Sequence, residues 1–447
     1  MGLSTEYWTL PVDERHLSLF GRIISLLHVP GDGPFVLRVG GDSSDRTLYD
    51  PERLRLPRWV FALTHEYVAR TALAVRRLQL RVILDLNLIT ATPQEASNWA
   101  AEAQRVMPPG SIIGYEIGNE PDLYSQSFWL SETKGDRFGR PVLPPAITWR
   151  TYARDFDEYA AVLAPIAPGI PLLAPALANP RHSLDFVHAL LANRSPALRG
   201  LTGHRYPYSG CAFPRSALYP TIPELLSKAA TTDMAQSVKP VVQLAKRAGL
   251  SAQLTEFNSI TCGGLPAVSN AFATALWAPD AIFELMRAGF DGVHLHARQR
   301  TINGPFTFDS RGLRARPLLY GLIIFARTLG PDARLVRLQE QIPRSLALKV
   351  WAVEVSGSQL HVLLINKGPR SATVSLKIPA TSPATVQRLA APSVGVTSGE
   401  TLAGQTLDEN GAWSGPRQLQ RVAPQRSGYH VTTAGYSAAL LAVPLRR

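Results

Sequence analysis

Eight short apolar runs recur along the first three-quarters of the chain, at 3–10, 35–39, 82–86, 112–117, 172–177, 201–206, 252–257 and 292–296. Segments with helical periodicity separate most of them, at 58–78, 93–106, 149–164, 183–191, 222–248 and 269–288. Strand and helix in alternation build a parallel sheet, and eight repeats close it into a (β/α)8 TIM barrel. The rival is a doubly wound open sheet, but no GxGxxG or Walker-type loop follows the first run. Beyond Leu329-Gly330-Pro331 the texture changes. Segments 346–355, 359–365, 372–378 and 438–443 alternate or carry β-branched residues, punctuated by Gly, Pro, Ser and Asn. That pattern predicts a C-terminal antiparallel β-sandwich domain. The expected division is therefore 1–330 for the barrel and 331–447 for the sandwich, packed together because no flexible linker separates them.

Composition narrows the function classes. The 447 residues are 45% hydrophobic and 18% charged, a globular profile. No apolar run approaches the roughly 20 residues of a membrane span. The net charge of +12 suits an acidic substrate. The 46 Lys and Arg residues are dispersed, without the basic clusters of a nucleic-acid binder, so no nucleic-acid partner is expected. There are two cysteines, Cys211 and Cys262, with no CxxC. His294 and His296 alternate near Asp291 but lack a further ligand at suitable spacing, so neither metal nor cofactor is expected. No GxSxG elbow supports a serine nucleophile.

The chemistry concentrates where strands end, since barrel active sites lie at the C-terminal ends of the strands. The fourth run ends Glu116-Ile117-Gly118-Asn119-Glu120-Pro121-Asp122, and the seventh ends Leu254-Thr255-Glu256-Phe257-Asn258. Each sets a carboxylate at the barrel mouth. Glycoside cleavage with retention needs such a pair, about 5–5.5 Å apart, one protonating the leaving oxygen and one attacking the anomeric carbon. Their environments must differ so that the acid stays protonated and the nucleophile ionised. Trp8 and Trp129 offer faces for sugar rings, whereas Trp277 on its helix is expected in the core.

Several segments together resemble a known family. The Asn-Glu on strand four and Glu on strand seven are similar to clan A of the glycoside hydrolases. More narrowly, GLSTEYWTL at the start, LRVGGDSSD (37–45), YEIGNEPDLY (115–124), APALANP (174–180), LTGHRYPYSG (201–210) and TEFNSITCGGLPAVSNAFATALW (255–277) resemble glycoside hydrolase family 79, the β-glucuronidase and heparanase family. The resemblance implies Glu120 as acid/base and Glu256 as nucleophile. It implies sugar contacts from Glu6, Asp42 and Asn119, with a further amide at Asn179. It also implies a wall from His204 and Tyr206, whose hydroxyl orients Glu256, and a uronate-binding loop whose backbone N–H groups come from Gly263 and Gly264. Glycine there lets the backbone approach an anion closely.

One departure stands out. The family often places tyrosines in the loops after strands seven and eight. Here Cys262 precedes Gly263, and Asn303-Gly304-Pro305-Phe306-Thr307-Phe308 holds no tyrosine, so Arg298 or Arg300 is the expected substitute. Within this layout Cys211 and Cys262 fall on adjacent loops, and a disulfide between them is a possible pairing. Such a bridge favours an oxidising compartment and a leader upstream of Met1; without it the cytoplasm is expected. The resulting expectation is an exo-acting retaining β-glucuronidase, or a heparanase-like relative, acting on a uronic-acid-containing carbohydrate. The alternatives are another clan A specificity, xylosidase or arabinofuranosidase, and a non-catalytic carbohydrate-binding protein on this scaffold.

Overall fold

The computed structural model describes residues 1–52, 56, 59–125, 147–192, 194–343, 345–378 and 382–445. Trp129 and the start of the expected 58–78 helix lie outside the described residues. Eight parallel strands close a barrel: β1 (Gly2–Glu6), β2 (Val36–Gly40), β3 (Arg81–Leu86), β4 (Ile112–Ile117), β5 (Leu172–Leu177), β6 (Leu198–Arg205), β7 (Ser251–Phe257) and β8 (Gly292–His296). Neighbours in space are neighbours in sequence, and β1 closes the ring by pairing with both β2 and β8. Each strand is followed by one long helix: α1 (Leu17–Leu27), α2 (His65–Leu78), α3 (Pro93–Val106), α4 (Trp149–Leu163), α5 (Leu184–Ala192), α6 (Met234–Arg247), α7 (Ala273–Ala288) and α8 (Pro317–Thr328).

The departures from the sequence-based elements have local causes. The first strand stops at Glu6 because a turn closes there (Thr9 N–H to Glu6 C=O, 3.1 Å), and Pro11 then starts a short helix at Leu10. Helix α2 begins at His65, where the Thr64 hydroxyl accepts from the Tyr67 N–H. The expected 222–248 helix is broken into Ile222–Leu225, a π-turn at Ala229–Asp233 and α6. At that turn the Ala230 carbonyl accepts from the Trp277 indole (2.9 Å), and Thr232 donates to Glu284 (2.6 Å). Similarly, α7 starts at Ala273 rather than at 269. Helices α1 and α8 were not expected. Almost every residue of α8 is buried, so its sequence PLLYGLIIFART carries no polar stripe to mark the period.

The C-terminal part is built on β9 (Leu348–Val355), β10 (Gln359–Asn366), β11 (Ala372–Leu376), β12 (Ala384–Ala390), β13 (Tyr429–Thr433) and β14 (Ser437–Pro444). The main sheet runs β9-β10-β14-β12, all antiparallel, and the β11–β13 pair forms the second layer. Alternation divides each strand between two cores. In β9, Trp351, Val353 and Val355 join the barrel core, while Leu348, Val350 and Ala352 face the second layer. The seam is also polar: Asp280 of α7 accepts from the Trp351 indole (3.0 Å) and pairs with buried Lys367 (2.7 Å). The sandwich thus docks as an extra layer over α7 and α8.

Candidate active site

The end of β4 is shaped by two left-handed residues, Gly118 (φ 75°) and Glu120 (φ 55°). A side chain at Gly118 would put its Cβ 2.8 Å from Leu88 and 2.9 Å from the Tyr124 hydroxyl, so the turn requires glycine. Glu120 adopts the same region at a cost of about 1–3 kcal/mol. It is held there by its N–H to the Ala176 carbonyl (3.0 Å) and by Leu123 N–H to its own carbonyl (2.8 Å). Asp45 fixes the turn from below. Its carboxylate accepts from the backbone N–H groups of Leu88 (2.8 Å) and Asn119 (3.1 Å) and from the Tyr124 hydroxyl.

On β7 strict alternation would send Thr255 and Glu256 to opposite faces. The register against both neighbouring strands shifts at this point, and such a bulge re-aims side chains. Thr255 therefore donates to Glu116 inside the barrel (2.7 Å) while Glu256 lines the cavity at its mouth. Beneath Glu256 lies Arg38 of β2, fully buried, in contact with Glu256 (2.6 Å), Asp85 (2.8 Å) and Glu116 (2.7 Å). It also donates to the Asn119 side-chain oxygen (3.0 Å). Arg38 is the main site residue that the sequence reading missed. An arginine within the apolar run Val36-Leu37-Arg38-Val39 is itself a signal, because a buried guanidinium requires buried carboxylates.

The two glutamates meet across the mouth. One oxygen of each, together with a His204 ring nitrogen, lies within a 4.8 Å cluster. His204 Nδ1 is 2.8 Å from Glu120 and 3.8 Å from Glu256, and the Tyr206 hydroxyl donates to Glu256 (2.9 Å). Their electrostatics diverge. Burial raises the Glu120 carboxyl to about 7, against the opposing pull of His204. Burial also acts to raise Glu256, but His296, His204, Arg38 and the Tyr206 hydrogen bond outweigh it and hold that carboxyl well below the usual range. Glu120, His204 and Glu256 are also of metal-ligating types. The Arg38 guanidinium against Glu256 opposes a divalent cation there, and the His204 Nδ1 that faces both glutamates is engaged by Glu120.

A cavity of about 450 Å³ opens over this pair. Of the other expected residues, Glu6, Asp42, Tyr206 and Gly263 line it. Burial, then Asp42, raises Glu6 to about 8; burial and Glu256 likewise raise Asp42. Asn119 is buried at the floor beside Arg38. Asn179 is not brought to the cavity. It is exposed, and its turn is drawn onto Asp122, which accepts from the Ala178 and Asn179 N–H groups and the Ser183 hydroxyl. Gly264 also stays out of the lining: its N–H goes to Thr261 (3.0 Å) and its Cα packs against Ile302 and Ser269. Cys262 lines the rim and is disulfide-bonded to Cys211, beside a two-stranded pairing of Tyr208–Ser209 with Ile260–Thr261.

His296 lines the cavity, 3.7 Å from Glu256 and 3.8 Å from Glu6, whereas His294 sits deeper and pairs with Gln253 (3.2 Å). The two histidines and Asp291, whose carboxylate accepts from the Ala252 N–H, therefore share no site. Trp277 is fully buried and stacks on Phe257. Trp8 lies beside Glu6, under the guanidinium groups of Arg46 and Arg298.

No protein-family model matches the sequence, and no curated protein does. Solved structures do match. A 4-O-α-L-rhamnosyl-β-D-glucuronidase from Fusarium oxysporum 12S aligns at a TM-score of 0.76 and 17% identity, over 99% of this chain and 95% of that one. The GH51 arabinofuranosidase of Xanthomonas axonopodis pv. citri aligns at 0.63 and 16% identity, over 96% and 89%. The GH30 xylanase C catalytic domain of Talaromyces cellulolyticus aligns at 0.56 and 12%, over 99% and 96%. These neighbours are clan A glycoside hydrolases, and the chain shares their fold, a (β/α)8 barrel carrying an antiparallel β-sandwich.

Proposed function

We propose that the chain is a retaining glycoside hydrolase of the family 79 type that releases β-linked glucuronic acid. The observation that carries the reading is the divided pair. Two carboxylates with oxygens within 4.8 Å of each other sit at one barrel mouth, Glu120 raised to about 7 and Glu256 held low. So close an approach suits direct attack by one carboxylate, as retention requires at about 5–5.5 Å between the carboxyl groups.

In the first step Glu256 attacks the anomeric carbon while Glu120 gives its proton to the departing oxygen. The products are a glycosyl ester on Glu256 and the free aglycone. Glu120, now ionised, takes a proton from water, whose oxygen displaces Glu256 and regenerates both groups. Arg38 and Tyr206 keep Glu256 ionised and aimed. His204 orients Glu120. Glu6 and Asp42 face the sugar hydroxyls. The glucuronidase specificity of the Fusarium neighbour, which spans nearly the whole chain, favours a uronic acid over the pentoses handled by the arabinofuranosidase neighbours.

An aryl glycoside panel tests this reading. The wild type is expected to cleave the β-glucuronide faster than the matched glucoside, xyloside and α-L-arabinofuranoside. Glu256→Gln and Glu120→Gln are expected to lose nearly all turnover while keeping the wild-type fold by circular dichroism. Full activity in Glu256→Gln would end this mechanism, and sugar binding without hydrolysis in the wild type would revive the binding-protein alternative.

A further inference from the structure

From the geometry of the loop after β8 we infer that Arg300 is the residue that recognises the substrate's carboxylate. This rests on the glucuronide reading above and names the group that enforces it. Two guanidinium groups line the cavity, those of Arg298 and Arg300. Arg298 is already engaged, 3.6 Å from Glu6 and over the Trp8 ring. Arg300 makes no hydrogen bond or ion pair among the described residues, although carboxylates of Glu6, Asp42, Glu120 and Glu256 line the same cavity. Arg300 is exposed at the cavity's edge, and an unpaired cation there is placed for an anion that arrives from outside.

The backbone supports this. Arg300 adopts φ 69°, a left-handed conformation that costs a non-glycine residue free energy and that surrounding structure must impose. The loop is pinned on both sides of it. Ile302 and Asn303 N–H both donate to the Gly263 carbonyl (2.9 and 3.2 Å), and the Asn303 side chain donates to Ile260 (2.8 Å). Before it, the Arg298 carbonyl accepts from the Thr301 hydroxyl (2.7 Å), and farther along after it Arg316 donates to the Gly304 carbonyl (3.1 Å). The Arg300 Cα is therefore positioned before substrate arrives, which lowers the ordering cost of binding.

Charge decides the sugar's orientation. Burial and neighbouring acids already disfavour negative charge at Glu6 and Asp42, so a uronate carboxylate beside them would add another anion to that cluster, whereas hydroxyls satisfy those acids by hydrogen bonding. The carboxylate then faces the wall formed by Gly263 and Arg300. The glycine amides supply less than the sequence suggests, because the Gly264 N–H is spent on Thr261. A guanidinium meets a carboxylate with two parallel N–H donors, which a neutral hydroxymethyl group cannot use.

The test is the ratio of kcat/KM for an aryl β-glucuronide to that for the matched aryl β-glucoside. Because both substrates report on the same preparation, loss of folded enzyme cancels. Arg300→Gln is expected to lower the ratio by about 100-fold, mainly through KM for the glucuronide, and Arg300→Lys to recover about tenfold of it. A wild type that prefers the glucuronide with an unchanged ratio in Arg300→Gln overturns the role of Arg300 and leaves the proposed function standing. A wild type that prefers the glucoside overturns both.

Discussion

Removing one hydroxyl separates the two carboxylates by their titration. Tyr206 donates to Glu256 at 2.9 Å and makes no hydrogen bond with Glu120. Tyr206→Phe deletes that hydrogen bond and little else. A hydrogen bond to a charged partner contributes about 1.5–3 kcal/mol, and one pKa unit corresponds to about 1.4 kcal/mol. The Glu256 carboxyl is therefore expected to rise by about 1–2 units. It stays acidic because the Arg38 contact at 2.6 Å remains. In the proposed mechanism activity requires Glu256 ionised and Glu120 protonated, so kcat/KM is expected to rise with pH as the first loses its proton and to fall as the second does, near 7. In the variant the acid limb of the kcat/KM profile moves up by about 1–2 units while the basic limb stays where it was. Initial rates on an aryl glucuronide between about pH 3 and 9 follow the basic limb in full, and the acid limb is expected to enter the low end of that range only in Tyr206→Phe. A basic limb that moves with a stationary acid limb would mean that Tyr206 acts on Glu120, and the two roles would have to be exchanged.

Other perturbations test the frame around the site. The bridge between Cys211 and Cys262 spans 51 positions, so Cys211→Ser is expected to lower unfolding free energy by about 3–4 kcal/mol. Thiol titration of the denatured, unreduced protein should find no reactive thiol, and two would refute the pairing. Burial raises Asp13, hydrogen-bonded to Gln299 at 2.7 Å, to about 8. Below the unfolded carboxylate pKa of about 4 both states hold the proton; between about 4 and 8 the folded state alone holds it, so stability falls as pH rises. Asp13→Asn should therefore melt increasingly above the wild type as pH goes from about 4 to 8, with a gap of at most about 1.4 kcal/mol per unit. At the seam between barrel and sandwich, Lys367→Met leaves Asp280 buried without its cation and should cost about 3–5 kcal/mol in chemical denaturation. A loss below about 1 kcal/mol would show that the seam is held by Trp351 packing alone.

The architecture was legible in the sequence because its signals are local. Eight apolar runs with amphipathic helices between most of them leave few folds available, and alternating β-branched residues after 330 announce antiparallel strands. Glu120 and Glu256 were legible for a related reason, since a carboxylate at the C-terminal end of a barrel strand has one place to go. What stayed hidden depends on which side chains face the axis. The arginine in Val36-Leu37-Arg38-Val39 signals a buried charge, but nothing in that run names its partners, Asp85, Glu116 and Glu256, residues 47, 78 and 218 positions away. Nor does Leu254-Thr255-Glu256 announce the register shift that lets both Thr255 and Glu256 reach the barrel's inner side. Helix α8 escaped because its burial on every side erased its period, and the turn at Asn179 left the cavity because Asp122 took its amides. The sequence by itself determined the barrel, the sandwich and the two carboxylates. Only the tertiary structure decided that one carboxyl is held low and the other raised, because that division comes from desolvation and from charges brought together across the barrel, which no local pattern encodes.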